Sequence, residues 1–339
     1  MSAEATAGPH PDSRALAGRA AVAAVLAVLA AVAIVWLPAL EPVRNRFANT
    51  DARWVAAAFV LQVASTLSFV AAFRGAFERR IGWRAAFDLS MVEEGTNVLL
   101  PSGGSGGLVV GTVLLVRAGV PTPFASSRTA VLFLVTSAVS FAALVIAGAG
   151  EVTGVLPGDA ALAATLAPAA GAALVILAVV VLPHRLPVIA AEPSQRVRMA
   201  VRRTQLFLRS AVELSVAMIR SGDLLLLGGS LGYFAFDVAS LGAAFEALGQ
   251  GALPIGILTL AYVLGHAGAL VPLPGSAEGG LVGVLTAYGS PLSLALGAVL
   301  AYRTFHAGVP MVLGLLGYAD IRRLRRSGPS REEIARRFS

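Results

Sequence analysis

The 339-residue sequence contains no cysteine and no lysine, and charged residues make up only 13% of it. Without cysteine, neither a disulfide framework nor a thiolate metal site can form, so thiol content says nothing about compartment. The shortage of charge, against roughly 25% in an average soluble protein, excludes an ordinary water-soluble domain. What fills the chain instead is hydrophobic, at 57% of residues. That composition belongs to an all-α polytopic membrane protein, whose crossings satisfy their own backbone hydrogen bonds. All 26 basic residues are arginine and the formal net charge is +7. The arginines lie in short clusters between apolar runs, where they set membrane topology rather than bind nucleic acid.

Apolar runs long enough to cross a bilayer core, about 17 to 25 residues each, occupy residues 20–40, 54–73, 129–148, 162–182, 224–248, 253–271 and 291–317. The first follows Arg14 and Arg19 and exceeds the roughly 7 to 15 residues of a secretory apolar region, so it reads as an uncleaved span. The expected organisation is a cytoplasmic tail (1–19), a transmembrane domain of about 7–8 helices (20–317) and a basic cytoplasmic tail (318–339). Arginine clusters at 74–84, 185–220 and 322–337 mark the cytoplasmic side of a cell membrane, and residues 151–160 carry none. One loop dissents, because Arg44, Arg46 and Arg53 then face outward beside Glu41 and Asp51.

Two glycine-broken stretches interrupt this pattern. If Arg84 and Arg128 lie on one side, residues 85–120 enter and return on that side, a re-entrant hairpin with its tip at residues 101–107. The same accounting makes residues 253–289 a second re-entrant hairpin from the other side, its tip "PLPGSAEGG" beginning at Pro272. "SGGLV" from Ser105 reads against "EGGLV" from Glu278, and each is followed by Gly-x-Pro and then an arginine, Arg128 or Arg303. Opposite directions of approach make this an inverted repeat, an architecture whose broken helices meet at a midplane site. Irregular backbone survives at membrane depth only where protein or water lines it, so the tips imply a polar cavity. Their free N–H groups suit an anion such as a lipid phosphate. The plainer reading, that the glycines merely allow close helix packing, holds for any single one of them.

Ionisable residues in spans or at tips are Asp88, Glu93, Glu94, Arg117, Asp237, Glu278 and Arg303. Each costs about 2.5–3.5 kcal/mol at a helix centre, so they should face a cavity or one another. Arg303 is the strongest candidate: too deep to snorkel easily, it can hold a phosphate bidentately or pair internally with Glu278 or Asp237. Glu93 and Glu94 point about 100° apart on a helix and so serve different partners, one of them a proton or cationic-headgroup site. Arg117 and Arg128 fit interface anchors equally well. His266 and His306, without a second ligand at close spacing, read as packed or hydrogen-bonded inside the bundle rather than as metal ligands.

"NVLLPSGGSGG" followed by "VPLPGSAEGGLVGVLTAYGSPLSLALGAVLAYR" resembles the transmembrane domain of lysylphosphatidylglycerol synthases and their stand-alone flippase-like relatives, over roughly residues 54–317. The matching positions are Asn97, Pro101, Gly106 and Gly107 in the first half, and Pro272, Pro274, Gly275, Glu278, Gly289, Tyr302 and Arg303 in the second. Two departures stand out: the Pro-Gly to glutamate interval is short, and Ser276-Ala277 replaces expected glycines. No soluble aminoacyl-transferring domain follows residue 317, so the expectation is a non-enzyme without cofactors. The resemblance implies movement of lipid headgroups between leaflets, the cargo being an anionic or aminoacylated phospholipid or a polyprenyl-linked lipid. It is compatible with a homodimer and with a lipid-modifying or glycosyltransferase partner.

Two other readings compete. A non-transporting scaffold would recruit a lipid or cell-envelope enzyme through its basic amphipathic segments, "QRVRMAVRRTQLFLRS" among them. An intramembrane serine protease would use Ser105 of Gly103-Gly104-Ser105-Gly106 with His266, although that histidine follows several spans later.

Overall fold

The computed structural model describes residues 40–99, 105–117, 119–156, 162–188, 196–249, 253–266, 268 and 275–326. Among them are eleven helices and no strand: α1 Glu41–Ala48, α2 Ala52–Ala76, α3 Trp83–Leu99, α4 Ser105–Arg117, α5 Thr122–Val152, α6 Leu162–Arg185, α7 Arg196–Arg220, α8 Leu224–Ala247, α9 Ile255–His266, α10 Ser276–Ala287 and α11 Leu292–Arg326. Five stretches are long and apolar enough to cross a membrane: Ala52–Ala76, Thr122–Val152, Thr165–Arg185, Leu224–Ala247 and Leu292–Gly317. Their outer surfaces expose Val60, Ile146, Leu174, Leu177 and Leu231, a burden water would oppose and lipid accepts. This is a multi-pass membrane protein. The run at 20–40, apart from its last residue, and the tail before it lie outside the described residues, and α11 continues as helix into the basic tail as far as Arg326.

The run at 253–271 departs from the expected full span. Its helix α9 has 12 residues, about 18 Å at 1.5 Å per residue, well short of a core about 30 Å thick. It packs instead against the equally short α10, and α3 packs likewise against α4. Both pairs are antiparallel, and glycines set their separation. A Cβ on Gly107 would overlap the Glu93 carbonyl, and one on Gly280 would overlap the Gly265 carbonyl. Small residues at such contacts let backbones approach where no hydrophobic force drives association.

The two halves repeat one helix order, long, short, short, long: α2–α5 and α8–α11. The long leading helices α2 and α8 cross antiparallel through Gly75 on Leu226 and Gly229 on Ala72. At that crossing the Ser65 hydroxyl donates to the Tyr233 carbonyl (2.9 Å) and the Ser240 hydroxyl to the Ala58 carbonyl (3.0 Å). Other partners are exchanged between the halves. α3 lies on α11, with Gly95 against Pro310, Met91 against Gly314 and Asp88 against Gly317, while α9 lies on α5, with Gly256 against Glu151. The turns leaving α4 and α10 also match. In each a glycine with positive φ, Gly119 (97°) or Gly289 (90°), precedes the loop into a proline. The amides of Gly119 and Val120 bond the carbonyls of Val116 and Leu115, and those of Gly289 and Ser290 bond Thr286 and Leu285. This is the helix stop that a left-handed glycine permits.

One end of the bundle gathers Arg74, stacked 4.5 Å over Trp83, Arg79 beside Asp223 (3.7 Å), and Arg128, paired with Glu78 and packed on Phe124. The arginines whose placement the sequence left in conflict, Arg46 and Arg53, sit at the other end, Arg46 on Ser293 and Arg53 on Asp51. Asp51 caps α2 and its amide bonds Ala247. The Arg53 hydrogen bond holds the Asp51 carboxyl below its usual range.

Asp223 caps α8 by accepting from the amides of Leu225 (2.9 Å) and Leu226 (3.1 Å). Asp223→Ala should destabilise the protein by about 1 kcal/mol and Asp223→Asn by much less. Thermal unfolding in detergent measures both, and equal losses would show that the carboxylate acts through Arg79 rather than as a cap.

Candidate functional site

Just past the middle of α8, Asp237 is fully buried. Its carboxylate is held from two other helices: the hydroxyls of Tyr262 (2.5 Å) and Tyr302 (3.1 Å) donate to Oδ2, and Nδ1 of His306 lies 3.1 Å from Oδ1. His306 also stacks on Tyr302. Behind Tyr262, Nδ1 of His266 donates to the Tyr262 carbonyl at 2.7 Å, since a carbonyl only accepts. The other ring nitrogen, Nε2, is buried without a partner. The two imidazoles face each other edge to face, 5.8 Å between centroids.

A second acidic group approaches from α3. Glu93 and Glu94 are both buried, and each has one carboxylate oxygen without a partner. They serve different neighbours. Tyr233, one turn before Asp237 on α8, Asp237 itself and Glu93 all lie within electrostatic reach of Glu94. The Glu93 carboxylate reaches across to Gly111 of α4, where any side chain would collide with it. One turn later Asn97 accepts from the Gly107 amide at 2.7 Å, tying the start of α4 to the end of α3.

Arg303, on α11, pairs with Glu278 of α10; Nε and Oε1 are 2.9 Å apart. The guanidinium is 15% exposed and the carboxylate 38%. The two groups are close without hydrogen-bond alignment at Nε, so the contact is an ion pair rather than a charge-assisted hydrogen bond.

The structure thus brings Glu93, Glu94, Asp237 and Tyr302 into one buried polar region, with Asn97 and Gly107 shaping its α3–α4 side and Arg303 and Glu278 beside it on α10 and α11. Gly275, in the left-handed conformation at φ 81°, opens α10. Arg128 stands apart, at the arginine-rich end with Glu78, Phe124 and Met218. Arg117 closes α4, and Gly106 lies in its first turn. Pro101, Pro272 and Pro274 lie outside the described residues.

Tyr233, Tyr262, His266 and His306 join the site without having been singled out as its members. A signal was present: Tyr262/His266 and Tyr302/His306 both read Tyr-x-x-x-His, a four-residue spacing that places both side chains on one helix face. Among the described residues no three His, Asp or Glu side chains are grouped to hold a metal ion. What the cluster offers chemically is exchangeable protons and a dense set of donors and acceptors inside an apolar bundle.

A family model described as the lysylphosphatidylglycerol synthase TM region matches residues 21–314. No curated protein matches the chain.

Proposed function

Since the chain belongs to the lysylphosphatidylglycerol synthase TM region family, we propose that it passes a lipid headgroup between membrane leaflets while the acyl chains stay in hydrocarbon. The observation that carries this reading is the buried cluster around Asp237, halfway along a membrane-length helix. Ionisable groups at that depth are expensive and mark pathways. The cargo would be an anionic or aminoacylated phospholipid or a polyprenyl-linked lipid, and the protein would work as a transporter rather than an enzyme.

On this reading α3–α4 and α9–α10 are re-entrant hairpins of an inverted repeat. Supporting it are the reciprocal serine bonds at the α2–α8 crossing, the exchanged packing of α3 on α11 and α9 on α5, and the matched turns at Gly119 and Gly289. Broken helices meeting between such halves place substrate sites near the midplane. The arginine-rich end would face the cytoplasm of a cell membrane. Arg303, released from Glu278, would hold the lipid phosphate.

The test is headgroup translocation by purified protein in liposomes, with fluorescent phosphatidylglycerol, its lysyl form and a polyprenyl phosphate. Wild type should move at least one of them, and Arg303→Ala should slow that movement about tenfold, the worth of one charge-assisted contact. Rates equal to those of protein-free liposomes for all three probes would defeat the reading.

A further inference from the structure

We propose that Glu93 and Glu94 form a proton-exchange site that couples headgroup passage to proton movement across the membrane; this rests on the transport reading above. Two adjacent carboxylates are buried on α3, each with an oxygen that has no hydrogen-bond partner among the described residues. An ionised carboxylate removed from water without partners is among the costliest groups a bundle can hold, whereas the protonated acid carries a hydroxyl that can donate. A permanent ion pair would need a cation at hand. The cationic group the site offers, Arg303, is paired with Glu278.

The surroundings are those of a relay rather than a structural lock. From α8, Tyr233 and Asp237 both act on Glu94 electrostatically. Through Asp237 the hydroxyls of Tyr262 (α9) and Tyr302 (α11) and the imidazole of His306 follow within hydrogen-bond distance, and His266 stands behind Tyr262. From α4, Glu93 meets Gly111, which brings no charge. From α2, Gln62 and Thr66 add buried side-chain oxygens without partners. Donors and acceptors therefore run from the α3–α4 hairpin to the tip-side end of α9, with the unpartnered Nε2 of His266 at the far end.

Each cycle takes a proton onto a carboxylate oxygen from water at one membrane face and returns it to water at the other. No other bond changes, and no co-reactant is consumed. A headgroup amine and a proton compete for the same oxygens, so binding one releases the other, as reciprocal linkage requires.

The experiment uses liposomes holding the full-length protein, the fluorescent lysyl form of phosphatidylglycerol as the amine-bearing probe, phosphatidylglycerol itself as the amine-free probe, and a lumenal pH indicator. A pH difference of one unit is worth a factor of about ten per coupled proton. Wild type should therefore shift the final distribution of the lysyl form between leaflets by about that factor, with a matching change in lumenal pH. Glu94→Gln and Glu93→Gln should each bring the distribution back toward equality under the same gradient. If wild type moves headgroups to the same distribution with and without the gradient, proton coupling is wrong and headgroup transport stands. If it moves neither probe under either condition, proton coupling falls, and the transport reading falls with it only where polyprenyl phosphate also stays unmoved. The wild-type comparison decides even if a variant fails to fold.

Discussion

Asp237→Ala is expected to destabilise the protein by about 3–5 kcal/mol, the range for removing one partner from a buried charged network. Three donors converge on this carboxylate from α9 and α11. Deleting it leaves the Tyr262 hydroxyl without its acceptor, at a cost of about 1–3 kcal/mol if no water or rotamer compensates, and leaves the Tyr302 hydroxyl and His306 Nδ1, 3.0 Å apart, with only each other. It also unlinks α8 from both helices at mid-depth. Asp237→Asn keeps the volume and one acceptor oxygen but turns an amide donor toward other donors, so it should fall between Ala and wild type. Thermal unfolding in detergent gives the order. Wild-type stability in Asp237→Ala would mean that this network does not hold the three helices together.

Gly107→Ala should cost about 3 kcal/mol, at the upper end of the range for overpacking. The added methyl would overlap the Glu93 carbonyl and the Asn97 side-chain amide, and backbone cannot step aside as a flexible side chain can. The hairpin would have to open, losing the bond from the Gly107 amide to Asn97. Gly283 of α10 supplies the control, since a Cβ there meets open space. Gly283→Ala should be neutral or stabilising by up to about 1 kcal/mol through helix propensity alone. If both variants unfold at the same temperature, close approach of α3 and α4 is not what requires glycine at 107.

Arg303 announced itself in the sequence because a lone arginine deep in an apolar run demands a partner, and Glu278 is one of the two candidates its position allowed. Asp237, Glu93 and Glu94 stood out for the same reason. The family was legible in the glycine and proline motifs, which lie in the stretches that break the helical pattern. Tyr262 was harder to see, and His266, expected only to be packed or hydrogen-bonded inside the bundle, becomes part of a site only once α9 is laid against α8 and α11. The full span expected at 253–271 reflects the limit of hydropathy, which registers that residues are apolar but not that His266 ends a short helix turned toward Asp237. Beyond the two short pairs, α3 with α4 and α9 with α10, which helices pair was not legible. The partner of α3 is α11, from the other end of the chain, and no local pattern records that choice.

That pairing governs how the protein can be made. At a synthesis rate of about 5–20 residues per second, α11 emerges roughly 10 to 45 seconds after α3, some 220 residues later. Until then Met91 and Gly95 have no Gly314 or Pro310 to rest on, and two buried glutamates sit on a helix whose long-range scaffold does not yet exist. The nascent first half therefore lacks these contacts, with α2 also lacking α8, until the second half is made. Assembly is a late event, completed when α11 threads back along α3. Truncation before residue 292 would leave a chain that is membrane-inserted yet unassembled, the kind of substrate that membrane proteases clear.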